Sequence, residues 1–316
     1  MRPIRFGVLG EQIRSGEELV ATARRAEALG YATLLLRDHF VPEPFGDQLA
    51  PMVALTAAAG ATSTLRVGTL VLDNDYRHPV LLAKEAATLD LLSGGRFELG
   101  IGAGWLREEY RRAGMPFDAP GVRVGRLEES LRVLKGLLAG GPLQFAGAHY
   151  SVTGLAGFPP PVQRPRPPIL VGAGSRRMLG IAGREADIVG ILPRALPDGT
   201  ISEALSERSP AAVAEKVGWV REAAGDRFDR VELSIVATVR VAADHTAAAA
   251  RLAAEEGWGG GAAERVLEMP SVFLGPVERI TDQLLARRER YGFSYYVVPD
   301  GAMEAAAPVV ERLAGR

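Results

Sequence analysis

Short apolar runs alternate along this chain with longer stretches in which apolar positions recur at helical spacing. The runs fall at residues 4–9, 33–36, 65–72, 97–101, 169–171, 187–192, 231–239 and 295–298. Unbroken apolar character over a few residues marks a strand buried on both faces. Between these runs the spacing predicts helices. The first is opened by Ser15 and Glu18, which have capping-box spacing, and runs through Leu29 to a stop at Gly30. Others are opened by Pro51 and Pro79, span 128–139 and 210–223, and begin at Thr246 and near Pro276. No hairpin-type spacing separates successive strands, so the pattern demands parallel pairing with helices as right-handed crossovers. About eight strands in 316 residues is the count and length of a (β/α)8 TIM barrel. The alternative is a doubly wound open sheet, which should carry a glycine-rich turn after its first strand. Gly7-Val8-Leu9-Gly10-Glu11 does not supply that fingerprint.

Some segments fall outside this alternation. Residues 144–152, turning near Gly147, read as a small hairpin outside the barrel, and the Pro-rich 158–168 as a stiff entry into the fifth strand. Residues 193–209 lack a pattern, and a connection this long is expected to act as a lid. The chain is read as a single domain, 1–316, with an insertion or lid over about 193–230. The stretch 257–261 is expected to be flexible.

Composition narrows the class. Apolar content of 47% supports a large core, and a net charge of -1 gives no basic footprint for nucleic acid or an anionic membrane. No apolar run has the length of a membrane span, and the N-terminus enters a strand directly, without a signal-peptide pattern. There is no cysteine, which excludes disulfides, thiol nucleophiles and cysteine metal sites. His39, His78, His149 and His245 are scattered without metal-ligand spacing. The expectation is a cytoplasmic globular protein with no structural metal.

In a parallel barrel the residues just past the carboxyl ends of strands face the active site. The second strand ends in Asp38-His39, a carboxylate beside an imidazole; a turn cap and a loop filler are the plain alternative. The third ends in Asp73-Asn74-Asp75-Tyr76-Arg77-His78, read either as site chemistry or as a solvated loop. The fourth ends in Gly102-Ala103-Gly104-Trp105, where glycines let something flat approach the backbone and Trp105 walls a pocket or simply packs. The fifth ends in Gly172-Ala173-Gly174-Ser175 and runs straight into a helix. Small residues there expose backbone N–H groups at a helix N-terminus, a place for a phosphate or a plain tight turn.

These stretches, taken together, resemble the bacterial luciferase-like flavin and deazaflavin oxidoreductases over nearly the whole chain. The residues that carry the resemblance are Ala23-Arg24-Arg25-Ala26-Glu27-Ala28-Leu29-Gly30-Tyr31 with Asp38-His39, then Leu65-Arg66-Val67-Gly68-Thr69. They continue in His78-Pro79, Leu89-Asp90, Ser93-Gly94-Gly95-Arg96-Phe97, Gly100 to Trp105, Gly275-Pro276 and Gly292-Phe293-Ser294. The resemblance implies a luciferase-like barrel with an insertion near the sixth to seventh strands. It places a cofactor ring across the barrel mouth, backed by a bulge at Leu70-Val71 that holds a non-prolyl cis peptide. Ala103, Gly104 and Trp105 match positions close to that ring, and Gly172, Ala173, Gly174 and Ser175 match the phosphate-binding turn. His39 matches a base or hydrogen-bond donor beside the reacting carbon, with Asp38 expected to tune or orient it. Deazaflavin-dependent sugar-phosphate dehydrogenases of the family carry a glutamate where Trp105 stands, which argues against that substrate.

The function expected is an F420-dependent oxidoreductase that transfers a hydride to or from a small organic substrate. The alternatives are an FMN-dependent monooxygenase supplied by a flavin reductase, and a flavin-binding protein without catalysis. The Asp38-His39 pair and the arginine-rich composition lean toward F420. An F420 or flavin reductase is the expected protein partner, and a homodimer the expected assembly, with the helix after the second strand as interface.

Overall fold

Parallel strands close on themselves in the computed structural model, which describes residues 2–259 and 261–316; Met1 and Gly260, the latter inside the stretch expected to be flexible, lie outside the described residues. The first strands are β1 (Arg5–Gly10), β2 (Thr33–Leu36), β3 (Arg66–Thr69), β4 (Leu72–Asp73) and β5 (Phe97–Gly102). An antiparallel hairpin, β6 (Pro142–Ala146) and β7 (Ser151–Ala156), stands apart, as its spacing predicted. The barrel resumes with β8 (Ile169–Ala173), β9 (Ile188–Ile191) and β10 (Glu232–Val236). Two further strands, β11 (Thr238–Val241) and β12 (Val272–Gly275), pair with each other, and β13 (Phe293–Pro299) completes the barrel. The order is β3-β2-β1-β13-β10-β9-β8-β5-β4, and β3 rejoins β5 with Val67 opposite Phe97. β3 and β4 are one stave interrupted at Leu70-Val71, where a non-prolyl cis peptide lies at the position the resemblance implies. The described residues thus form an eight-stave parallel barrel.

Helices α1 (Gly16–Ala28), α2 (Pro51–Gly60) and α3 (Pro79–Leu92) follow the first three staves. Ser15 caps α1 by accepting the Glu18 N–H, and Gly30 turns the chain with φ +80. After β5 come α4 (Arg107–Ala113) and α5 (Pro120–Ala139). The expected helix over 128–139 begins eight residues earlier, with Pro120 in its first turn. Next are α6 (Arg176–Glu185), α7 (Pro210–Ala224), α8 (His245–Glu255), α9 (Ala262–Glu268), α10 (Val277–Tyr291) and α11 (Met303–Leu313). The main core lies between sheet and helices and holds Phe6, Val8, Leu34, Val67, Ile101 and Val171. A second core fills the barrel interior with Leu9, Leu35, Leu70, Leu170, Tyr295 and Val297.

At the amino-terminal end of the staves the interior is plugged by charge. Glu98 Oε1 lies 2.5 Å from Arg5 and 2.6 Å from Arg66. Arg5 also pairs with Glu232 at 2.7 Å and stacks 3.6 Å from the Tyr295 ring centroid. Burial alone would raise the Glu98 carboxyl, but the two guanidinium groups outweigh it and hold the carboxyl below its usual range.

The run 231–239 is not one strand. It stays in the barrel only to Val236, and β11 then leaves to pair with β12. The segment β11–α8–α9–β12 has its own small core, including Ala249, Leu252, Val266 and Leu274. Between β9 and α7, residues 193–209 form a short antiparallel bridge (Ala195 with Ile201) and one 3-10 turn, Leu205–Arg208. Leu205 packs on the small core, and Arg208 faces the Trp258 ring. Gly199, at φ +88, rests against Arg107 and the Trp105 carbonyl. Helix α7 packs on α6 in the outer ring, so the irregular segment ends at Ser209, short of the expected limit near 230.

Candidate active site

Four stave ends converge at the carboxyl end of the barrel. Val71 joins three of them: a Cβ built on Gly102 would sit 2.9 Å from the Val71 side chain, and one on Gly172 would sit 3.3 Å from it. The cis bond thus abuts the ends of β5 and β8, which carry Ala103-Gly104-Trp105 and Gly172-Ala173-Gly174-Ser175. Gly104 adopts φ +72, and a Cβ there would collide with the Tyr110 hydroxyl and the Asp73 carboxylate. Gly174 is pressed against the Pro193 carbonyl, with no room for a side chain. Ser175 caps α6, and its Oγ accepts from the Met178 N–H at 3.5 Å. The N–H groups of the first turn of α6 lack intrahelical acceptors by construction, and Arg176 and Arg177 flank them exposed.

His39 is at the mouth and packs in a triangle with Phe45, at 5.0 Å between centroids, and Trp105, at 6.0 Å, which are themselves 6.3 Å apart. The expected partnership with Asp38 does not form. The Asp38 carboxylate turns to the end of the third stave, where it takes Arg77 Nη1 at 2.6 Å and the Asp73 N–H at 3.2 Å. Asp38 and His39 lie past the end of β2, and their side chains take different partners. The carboxylate on His39 is Glu109 in α4, 3.1 Å from Nδ1 through both oxygens. Glu109 also accepts the Phe40 N–H at 2.6 Å, the Val41 N–H at 3.3 Å and the Tyr76 hydroxyl at 2.9 Å. Burial would raise the Glu109 carboxyl, but His39 and the other donors outweigh it and bring it below its usual range.

The polar cluster after the third stave is buried at its start, with Asp73 9% exposed and Asn74 1%, half-buried through Asp75, Tyr76 and Arg77, and exposed at His78. The Tyr110 hydroxyl lies 2.8 Å from Asp73 Oδ2 and 3.2 Å from Asp75 Oδ2, and Arg126 pairs with Asp75 at 2.8 Å. Desolvation raises the Asp73 carboxyl to about 7 against its hydrogen bonds from the Asp75 N–H and Tyr110, with Asp75 and Asp38 adding repulsion. Sequence reasoning missed Glu109 as a site member, while Tyr76 and Arg77 stand in the cluster for which site chemistry and a solvated loop were both open. Glu109 lies 70 positions from His39 in an Arg/Glu-rich helix that reads as solvated surface. The site can hold a flat group against backbone, bind an anion at a helix start, and move a proton through an imidazole backed by a carboxylate.

The sequence model of the family described as luciferase-like monooxygenase matches residues 3–309. The chain belongs to that family. Among curated luciferase-like relatives, an FMNH(2)-dependent dimethylsulfone monooxygenase of Pseudomonas putida is 32% identical over 52% of this chain and 46% of its own length. An F420-dependent glucose-6-phosphate dehydrogenase of Amycolatopsis mediterranei is 31% identical over 54% of this chain and 51% of its own length. The matched region thus spans about half the length of these curated relatives. Among solved structures, the coenzyme F420 dependent tetrahydromethanopterin reductase from Methanopyrus kandleri superposes with a TM-score of 0.75 at 20% identity, covering 98% of this chain and 99% of the other. The fold is therefore the luciferase-like barrel, shared by family members that use deazaflavin and members that use FMN.

No helix among the described residues is long and apolar enough to cross a membrane. No group of three or more His, Asp or Glu among them is arranged to hold a metal ion.

Proposed function

We propose that this luciferase-like protein is an oxidoreductase that moves a hydride between coenzyme F420 and a small organic substrate, with His39 handling the accompanying proton. The observation that carries this reading is the His39–Glu109 pair beside Trp105, at the same barrel end where the Val71 side chain packs on Gly102 and Gly172. A flat ring with an anionic tail fits these residues, because Gly102 and Gly172 let Val71 lie close on the stave ends as a low apolar floor and the Arg176 and Arg177 N–H groups at the start of α6 have no intrahelical acceptor. Leu70 and Val71 would back the ring, Ala103, Gly104 and Trp105 would border it, and Gly172 to Ser175 would take a phosphate. The bound deazaflavin supplies a carbon that accepts or donates hydride. This chain's own side chains orient the substrate, exclude water and transfer the proton. Residues 193–209, resting on Arg107 and the Trp105 carbonyl, serve as the lid. A cytoplasmic location belongs to the same reading.

A second reading is an FMN-dependent monooxygenase fed with reduced flavin by a partner reductase, and the Pseudomonas putida relative supports it. Titrating the protein with F420 and with FMN, followed by fluorescence, separates the two. Tight F420 and weak FMN binding is expected; the reverse preference makes the protein an FMN enzyme, and binding of neither sinks both. His39→Ala is expected to lower turnover by about two orders of magnitude or more while cofactor affinity survives. Unchanged turnover would remove His39 from the chemistry.

The assembly proposed is a homodimer through α2 and α3. Val53 is 75% exposed and Leu92 62%, and they line an apolar groove of about 680 Å³ with Met52 and Leu81. The groove's charged residues, Lys84 and Glu85, are of opposite sign, so a two-fold copy is self-complementary. Sedimentation should show a dimer that Val53→Asp with Leu92→Glu converts to monomer; a monomeric wild type would refute the assignment.

A further inference from the structure

The geometry points to Glu109 as a positioning residue that fixes the His39 tautomer, with the proton on Nδ1 and Nε2 left bare as the proton acceptor at the barrel mouth. This rests on the proposal that His39 handles the substrate's proton, and it adds which nitrogen does so and what sets that choice.

Glu109 is 2% exposed, and its two oxygens collect four donors. The Phe40 and Val41 N–H groups both point at Oε1, and the Tyr76 hydroxyl points at Oε2. The donors keep the carboxyl ionised at neutral pH. An ionised carboxylate only accepts hydrogen bonds, so the contact at 3.1 Å must be donated by His39 Nδ1–H. A neutral imidazole with its proton on Nδ1 carries its lone pair on Nε2. Among the described residues no protein group is hydrogen-bonded to Nε2. A flipped ring would present a carbon to Glu109 and lose the hydrogen bond, so the contact itself holds the ring orientation. Asp38 cannot substitute, since Arg77 and the Asp73 N–H already occupy it.

The chemistry then has a direction. In oxidation of an alcohol, the hydroxyl proton passes to Nε2 while the carbinol C–H leaves with its electron pair as hydride to the deazaflavin. The C–O bond becomes a carbonyl and the ring becomes imidazolium, held by Glu109. In reduction the Nε2 proton goes to the carbonyl oxygen as hydride adds to its carbon.

Glu109→Gln tests this with little change of shape. The backbone N–H groups hold the amide oxygen in the Oε1 position and place the amide NH2 at Oε2; Nδ1 is 3.1 Å from both positions, so the charge and the second acceptor that select Nδ1–H are lost. Histidine-selective 15N NMR of the full chain, at a pH where the ring is neutral, reads the tautomer directly, with His39→Asn assigning the resonance. Wild type is expected to show a protonated Nδ1 and a bare Nε2, and Glu109→Gln a population shifted toward a protonated Nε2; a variant with the wild-type tautomer unchanged overturns the proposal. In the same variant kcat should fall at least about 100-fold, as when a triad histidine is held in the wrong tautomer, with F420 affinity within about twofold by fluorescence titration. A wild-type His39 protonated on Nε2 overturns the proposal even if the variant fails to fold. The expected tautomers together with full turnover in His39→Ala would uphold the positioning and overturn only the catalytic reading beneath it.

Discussion

Asp73 makes the folded state pH-sensitive in a direction opposite to that of most carboxylates. Its ordinary value is 3.8, and desolvation beneath the Gly104 turn raises it to about 7. A group that binds its proton more tightly when folded adds stability at low pH, and that contribution is lost as pH rises through the folded value. The sign is therefore negative: between about pH 4 and pH 7 the native protein loses stability through this residue. Roughly three pH units at about 1.4 kcal/mol each give about 4 kcal/mol. Asp73→Asn removes the charge while its side-chain oxygen can still accept from the Asp75 N–H or the Tyr110 hydroxyl. Urea unfolding of both proteins across this range should show wild type losing ground to the variant by about 4 kcal/mol on going from pH 4 to pH 7. A difference independent of pH, or a variant that loses ground as pH rises, would refute the reasoning.

Two more predictions concern the barrel ends. Glu98→Ala leaves the Arg5 and Arg66 guanidinium groups facing each other and should cost about 3–5 kcal/mol of unfolding free energy. Because the Glu98 carboxyl is depressed, its contribution is present above the usual carboxylate range and fades as pH falls; a gap that widens on acidification would be the wrong sign. Gly104→Ala places a methyl on the Tyr110 hydroxyl at a left-handed backbone position, for a cost of roughly 2–4 kcal/mol. Thermal unfolding with Tm unchanged would show that the turn yields without cost.

The barrel is readable because its staves are short, mainly apolar runs with proline or a capping serine at several of the helix starts between them. What escaped the reading lacks that contrast. β12 is four residues long and was absorbed into the approach to α10, and β11 continues the apolar character of β10 with no mark of its departure at Ala237. Asp38 and His39 read as a pair because they are adjacent, yet Arg77 draws one carboxylate away and Glu109 supplies another to the imidazole. Glu109 was invisible for the converse reason. Only the packing of α4 brings it to the imidazole, and its neighbour Glu108 in the same turn is an ordinary surface ion-pair residue with Arg111 and Arg112.

The irregular segment 193–209 is fastened on two sides: to Arg107 and the Trp105 carbonyl at the mouth, and through Leu205 and Arg208 to the small core of β11–α8–α9–β12. A chimaera that borrows this segment from a relative, to alter which molecules are admitted, would inherit an unmatched seam on the far side. Residues 238–275 should travel with it as a cassette, so that recombination between family members has its natural crossover points in the connections beside β9, α7, β10 and α10 rather than inside either piece.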